Sequence, residues 1–321
     1  MDWSQFRSSA SSRRLSAALL TRLAAVKLVA MANQLLKSFI VGIQRRWWDG
    51  LRNGLATIGG VWALTEMTIA ALPAAKTALE AQGGDYLWFM TALFAAAFIG
   101  NVFEPTHVTF KVPATDTKIT LKYGDIFAEN ANLLIGVNEY FDGELGVPVA
   151  KSTVHGQFIV RNFGGSSTAF RAAVDPALAA TGAQPTVTAR AIHPNEAYPI
   201  GTTIKLPNGP HSTFLMAMAR TDPTTSKASS DVPTLWTALK CSFDAIHTLG
   251  NGEPLAMPLF GNGQSGIKLE PQHLLRLLIL ALVDFATNSA ARLPKQVAIV
   301  LHHSCFSELD IREIARDWKK V

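Results

Sequence analysis

The segment Gly261-Asn262-Gly263-Gln264-Ser265-Gly266 places three glycines where backbone N–H groups can converge on an anion. It follows Met257-Pro258-Leu259-Phe260 and precedes a helical pattern whose dipole would add to the attraction. A loop that only connects two elements is the competing reading. Gly124-Asp125-Ile126 directly follows a strand-like run, and a carboxylate there can accept a hydrogen bond from an exocyclic amine. Gly-Asp is also an ordinary turn. Asn138-Glu139-Tyr140-Phe141-Asp142-Gly143 follows a continuous apolar run, and the chain continues into Lys151-Ser152-Thr153-Val154-His155-Gly156-Gln157-Phe158. Asn and Asp in such places also serve plain turns, and His155 reads more readily as a structural histidine than as a base. Cys241 and Cys305 have no paired spacing. That argues against a disulfide scaffold or a zinc site, leaving both as small buried hydrophobes.

The elements that must hold these clusters alternate between strands and helices. Residues 108–112 and 119–123 alternate apolar and polar side chains, as half-buried strands do. Residues 132–137 (NLLIGV) form an unbroken apolar run, the pattern of a strand buried on both faces. Residues 203–206, 213–219 and 296–301 read as further strands, and 235–249 and 272–285 as helices. The expected fold is α/β, three layers around a mixed sheet. In such folds ligands bind at the carboxyl ends of strands, near helix N-termini.

Ahead of this domain the composition changes. Charged residues make up only 17% of the chain and hydrophobic residues 48%, and the apolar excess is concentrated in residues 51–103. Residues 55–72 carry one charge, Glu66, and residues 86–103 carry none. Each approaches the roughly 20 apolar residues that cross a bilayer. A polar link, residues 73–85, joins them into a helical hairpin, with Trp47, Trp48, Tyr86 and Trp88 at the ends, where aromatic rings favour the interface. A buried hairpin in a soluble protein is the alternative. Glu66 is either functional within the span or hydrated near the outer interface.

Net charge is +5, and much of the excess precedes the hairpin, at Arg7, Arg13, Arg14, Arg22, Lys27, Lys37, Arg45, Arg46 and Arg52. A basic flank beside apolar spans reads as membrane orientation rather than nucleic-acid binding. It places the N-terminus, and after two spans the following domain, in the cytosol of an inner-membrane protein. Residues 15–43 are basic and helix-forming, with Leu15, Leu19, Leu23 and Val26 on one face. They would lie on anionic lipid, act as an Arg- and Ser-rich transit peptide, or serve as a partner helix in a homo-oligomer. The expected organisation is a basic helical segment over 1–50, two transmembrane helices over 51–104, and a nucleotide-binding domain over 105–321.

Taken together, residues 108–321 resemble the macro domain family. Gly124-Asp125-Ile126 matches the Gly-Asp-Ile/Val segment whose Asp receives the adenine amine. Asn138 falls in the Asn-rich loop near the distal ribose. Gly261, Gly263 and Gly266 match the Gly-x-Gly-x-x-Gly phosphate loop, and residues 302–306, ending at Phe306, match the closing segment near the adenosine. Hydrolytic members carry a second Asn and a glycine run where this chain has Glu139-Tyr140-Phe141 and His155-Gly156-Gln157-Phe158. That variant loop, with residues 301–303 and 311–318, is similar to the divergent macro domains of Thoeris anti-phage defence, and two spans before it to the membrane effectors of type II systems. The resemblance implies an ADP-ribose-type ligand and no cofactor. A partner TIR enzyme would supply a histidine conjugate of ADP-ribose, and the membrane part would disrupt the bilayer in abortive infection. The implied ligand contacts are Asp125, Ile126, Asn138, Glu139, Phe141, residues 155–158, residues 261–266 and Phe306. The alternatives are a membrane-tethered ADP-ribosyl hydrolase using Asn138, Glu139 or His155, and a scaffolding domain on a passive anchor.

Overall fold

The structure is a computed structural model and describes residues 4–319 apart from 193, 264 and 265. The chain forms two compact units, residues 1–105 and residues 106–321.

The first unit is helical. Helix α1 (Ser4–Ala71) is broken only at Arg46, whose φ of −136° leaves the helical region. Helix α2 (Pro73–Ala81) occupies most of the polar link, and α3 (Gly83–Val102) returns along α1. Proline at the first position of α2 starts rather than stops a helix there. Small residues let α1 and α3 approach closely. A Cβ on Gly50 would stand 2.6 Å from Val102, and one on Gly54 2.6 Å from Phe94. Asn53 donates to Asn101 across the pair at 2.8 Å, and the Thr65 hydroxyl meets that of Tyr86 at 3.0 Å. At the helix break the Arg46 guanidinium pairs with Glu104 at 3.1 Å, both side chains largely buried. Residues 32–71 and 83–102 are long and apolar enough to cross a membrane. The face formed by Leu15, Leu19, Leu23 and Val26 involves side chains outside the described residues.

The second unit is an eight-stranded mixed sheet. Its strands are β1 (His107–Lys111), β2 (Lys118–Tyr123), β3 (Asn132–Asn138), β6 (Thr203–Asn208), β7 (His211–Thr221), β8 (Ala228–Ser229), β9 (Leu255–Pro258) and β10 (Gln296–Leu301). A separate pair, β4 (Thr186–Val187) and β5 (Glu196–Ala197), lies outside it. The order is β1-β2-β10-β9-β3-β7-β6, with β8 on β7. Strands β2, β10, β9, β3 and β7 run parallel, and β1, β6 and β8 pair antiparallel with their neighbours.

Helices cover both faces. On one, α4 (Val154–Phe163) and α5 (Ser167–Thr181) bring Phe158, Ile159, Phe170, Val174 and Leu178 onto Leu133, Ile135 and Val137. The other carries α6 (Val232–Leu249), whose buried stripe is Leu235, Leu239, Phe243 and Ile246, and α7 (Pro271–Asn288), with Leu275, Leu278, Leu282 and Phe285. Phe243 and Phe285 meet edge to face at 5.4 Å. A final helix, α8 (Ile311–Lys319), closes the chain. The five parallel strands therefore present their carboxyl ends on one side, where helix N-termini also collect.

Candidate functional site

On that side a cleft of about 130 Å³ opens between β3, β7, β9 and α4. Its floor is Gly136, Val137 and Asn138 at the end of β3. One wall is Pro258, Leu259, Phe260, Gly261 and Gly263, the end of β9 and the loop beyond it. The opposite wall is Thr153, Val154 and His155, the start of α4. The register of β3 on β7 slips here, from Val137 opposite Ala217 to Asn138 opposite Ala219, so Met218 is an extra residue on β7. Such bulges re-aim side chains beside sites. Met218 settles over Gly136, in the space a Cβ would take.

The α4 wall is the N-terminus of that helix. Thr153 caps the helix, its hydroxyl accepting from the Gly156 N–H at 3.0 Å. Gly156 is needed because a Cβ would stand 2.2 Å from the Ala150 carbonyl oxygen. The first amides of a helix have no intrahelical acceptor, and those of α4 belong to Val154 and His155, which line the cleft. Beside them the buried His155 Nε2 has no hydrogen-bond partner. Burial lowers the pKa of this imidazole from 6.5 to about 3, so it is neutral at physiological pH.

Of the residues singled out in the sequence, Asn138, His155, Gly261 and Gly263 come together in this cleft. The others lie outside the residues that line it. Asp125 sits at the end of β2, half exposed, with one oxygen accepting from the Phe127 N–H and the other paired to Arg161 at 3.0 Å. Arg161 also lies 4.4 Å over the Phe127 ring. Ile126, Phe141 and Phe158 are core residues, each 5% exposed or less. Their side chains face the α4–α5 layer. Glu139 accepts from the Thr221 N–H through Oε1 at 3.1 Å, at the end of β7. Gln157 donates to the Ser152 carbonyl. Asn262 donates to Cys305 Sγ at 3.5 Å, Gly266 N–H to the Gly263 carbonyl, and buried Phe306 packs edge to face on Tyr123. Gln264 and Ser265 lie outside the described residues. Even within the cleft the Asn138 amide is occupied: it donates to Asp142 Oδ2 at 2.7 Å, and its oxygen accepts from the Asp142 N–H. Asp142 is in turn locked to Arg190 at 2.9 Å, with both side chains fully buried. The helix dipole expected from the element after the glycine loop is also relocated. Helix α7 begins only at Pro271, with Glu270 at its N-cap, whereas α4 begins in the cleft wall.

Residues 119–302, more than half of the chain, match the family described as Thoeris protein ThsA, Macro domain. The chain belongs to the Thoeris ThsA macro-domain family. Among solved structures it is similar to the Oceanobacillus iheyensis macrodomain with ADP, at 13% identity over 67% of this chain and 98% of that one, with a TM-score of 0.45. A variant of that macrodomain with ADPR gives 13% identity, 65% and 97% coverage and a TM-score of 0.44. Another variant gives 11%, 68%, 100% and 0.45. No curated protein sequence matches the chain. The two apolar helices before the sheet fit a ThsA-like transmembrane macro protein.

The ThsA macro domain's cleft contains residues that sequence reasoning passed over. Gly136 and Met218 form the floor, and Pro148 and Val149 flank α4. A signal existed for Gly136: an isolated glycine inside a strand pattern marks a bulge or a close approach. Met218, read as one more apolar strand residue, had none.

Proposed function

We propose that this ThsA-family chain is a membrane effector that senses an ADP-ribose-type nucleotide through its macro domain. The observation that carries the reading is the convergence, in one cleft, of the α4 N-terminus, the loop at 259–263 and the unpartnered, neutral His155. The diphosphate would lie against the Val154 and His155 amides and the loop around Gly263, where dipole and N–H groups favour negative charge. A Cβ at Gly263 would meet nothing within 4 Å, so the backbone there is open to a close approach. Asp125 would take the purine amine. The distal ribose and its substituent, which we read as histidine supplied by a TIR partner enzyme, would reach His155.

Binding and switching are linked by size. The cleft measures about 130 Å³, below the roughly 300 Å³ at which small-molecule pockets begin. Met218 and Phe260 line it and must yield for a nucleotide to enter. A ligand that binds only the opened arrangement shifts the population toward it. The shift would change the assembly of a homo-oligomer, since two helices cannot line a pore alone, and the bilayer would fail in abortive infection. The basic residues before the hairpin favour a cytosolic N-terminus and macro domain.

The cleft favours sensing over hydrolysis. A general base needs a pKa near the working pH. His155 is held at about 3, Glu139 is engaged by Thr221, and Asn138 by Asp142. The test is to add histidine-conjugated ADP-ribose to the full chain in dye-loaded vesicles, and to follow dye release and ligand integrity together. The expected result is release with the ligand recovered intact. Consumption of the ligand without release would overturn the reading in favour of a tethered hydrolase.

A further inference from the structure

At the amino ends of β2, β9 and β10, the end of the sheet away from the cleft, a bowl of about 870 Å³ is set into the second unit. Strand β10 is six residues long, so the bowl and the cleft are about 20 Å apart at ~3.3 Å per residue. Three connections build it: the turn from β1 to β2, the end of α6 with the loop into β9, and the run from α7 into β10. They are tied to one another. The Lys118 N–H donates to the Lys295 carbonyl at 2.8 Å, and the Arg292 N–H to His247 Nδ1 at 3.1 Å. Within the turn the Val112 N–H donates to the Thr117 carbonyl at 2.9 Å. The bowl is therefore formed before any ligand arrives.

Its chemistry is uneven. Residues 106–321 hold 19 Lys and Arg against 18 Asp and Glu, so the unit as a whole is close to neutral. The bowl gathers Lys111, Arg292 and Lys295 against a single carboxylate, Asp116, whose side chain is 86% exposed and stands 3.9 Å from Lys111. The side chains of Arg292 and Lys295 are exposed and have no partner among the described residues. His247 uses only Nδ1, which leaves Nε2 for a ligand. Beside these cations the lining is apolar: Ile246, Leu293 and Pro294 are all buried.

Unpaired cations next to an apolar wall suit a molecule with a charged phosphate end and a flat, weakly polar end. The volume lies within the roughly 300–1,000 Å³ of small-molecule sites, which the closed cleft does not reach. We propose that this bowl is a second binding site, for a soluble nucleoside polyphosphate, separate from the cleft. Arg292, Lys295 and Lys111 would hold the phosphates, and the base would lie on Ile246, Leu293 and Pro294.

The test is calorimetric titration of the full chain in phosphatidylcholine nanodiscs with ATP and with inorganic tripolyphosphate. The expected result is saturable binding, several-fold tighter for ATP, weakened at least tenfold in the double variant Arg292→Gln/Lys295→Gln and unchanged in Asp125→Ala. Both replaced cations are exposed, so the fold tolerates their loss. Binding lost in Asp125→Ala and kept in the double variant would place ATP in the cleft and overturn the proposal. Equal affinity for tripolyphosphate would overturn the nucleotide class. Loss of ATP binding when the discs carry a phosphoinositide would make a lipid headgroup the occupant and overturn the soluble ligand. No saturable binding of either compound would overturn the site, whatever the cleft itself binds.

Discussion

The Met218 sulfur occupies the space that a Cβ on residue 136 would need, 2.1 Å from its position. Glycine within β3 therefore makes room for the side chain released by the β7 bulge, and together they set the depth of the cleft. Gly136→Val should push Met218 outward or strain the strand. Overpacking of this kind costs about 1–3 kcal/mol. A urea titration should show that loss, with nucleotide affinity falling at the same time. Met218→Ala should deepen the cleft and strengthen binding.

The pair Asp142–Arg190 ties the loop after β3 to the segment before β5, with both side chains fully buried and the guanidinium 4.0 Å over the Tyr140 ring. Removing one partner leaves a buried charge without compensation. Arg190→Met should cost about 3–5 kcal/mol, while the double replacement of both residues by apolar ones should recover much of it. Denaturant midpoints of the single and double variants check this. Equal losses in the two would contradict it.

His155 makes stability depend on acid. Its native pKa of about 3 lies below the 6.5 of the unfolded chain. Below 6.5 the unfolded state takes up a proton that the native state refuses, so this contribution to stability is whole above that pH and is lost as pH falls toward 3. The slope is at most about 1.4 kcal/mol per pH unit. His155→Leu should flatten that part of the stability profile between pH 6 and pH 4, measured as the difference from wild type.

Asp125 and Arg161 are both about half exposed, so their ion pair adds little to the fold, ~0–1 kcal/mol. Its role in the account is competition for the carboxylate that would hold the purine. Asp125→Ala should weaken nucleotide binding by about 1–3 kcal/mol with little change in melting temperature. Arg161→Ala should leave binding equal or tighter. Weaker binding in Arg161→Ala would assign the guanidinium to the ligand instead.

Much of the sheet was legible in the sequence, for physical reasons. Burial on both faces made residues 133–137 apolar, and they form most of β3; the same holds for residues 297–301 of β10. The helical period of α6 and α7 stands out because each buries one stripe against the sheet. The start of α4 was not legible. Gly156 at the third position and a lone Thr153 cap, without an acidic partner three residues on, read as a turn. Strand β9 is four residues long and ends in Pro258, so it was read as the approach to a loop. In the cleft, Gly261 and Gly263 belong to the loop singled out by its glycines, whereas His155 was read more readily as a structural histidine. The engagement of Asn138 through Asp142 to Arg190 was not, because it joins residues 48 positions apart. The family resemblance implied ligand contacts at Glu139 and Phe141; the structure has Glu139 accepting from the Thr221 N–H and Phe141 in the core.

The most direct measurement is a calorimetric titration of the full chain, in lipid nanodiscs, with ADP-ribose and with its histidine conjugate. Saturable binding of one ligand per chain is expected, tighter for the conjugate, and weakened about tenfold or more, ~1.4 kcal/mol, by Gly136→Val. The absence of binding by either compound, or an affinity unchanged by that variant, would contradict the assignment of this cleft as the nucleotide site.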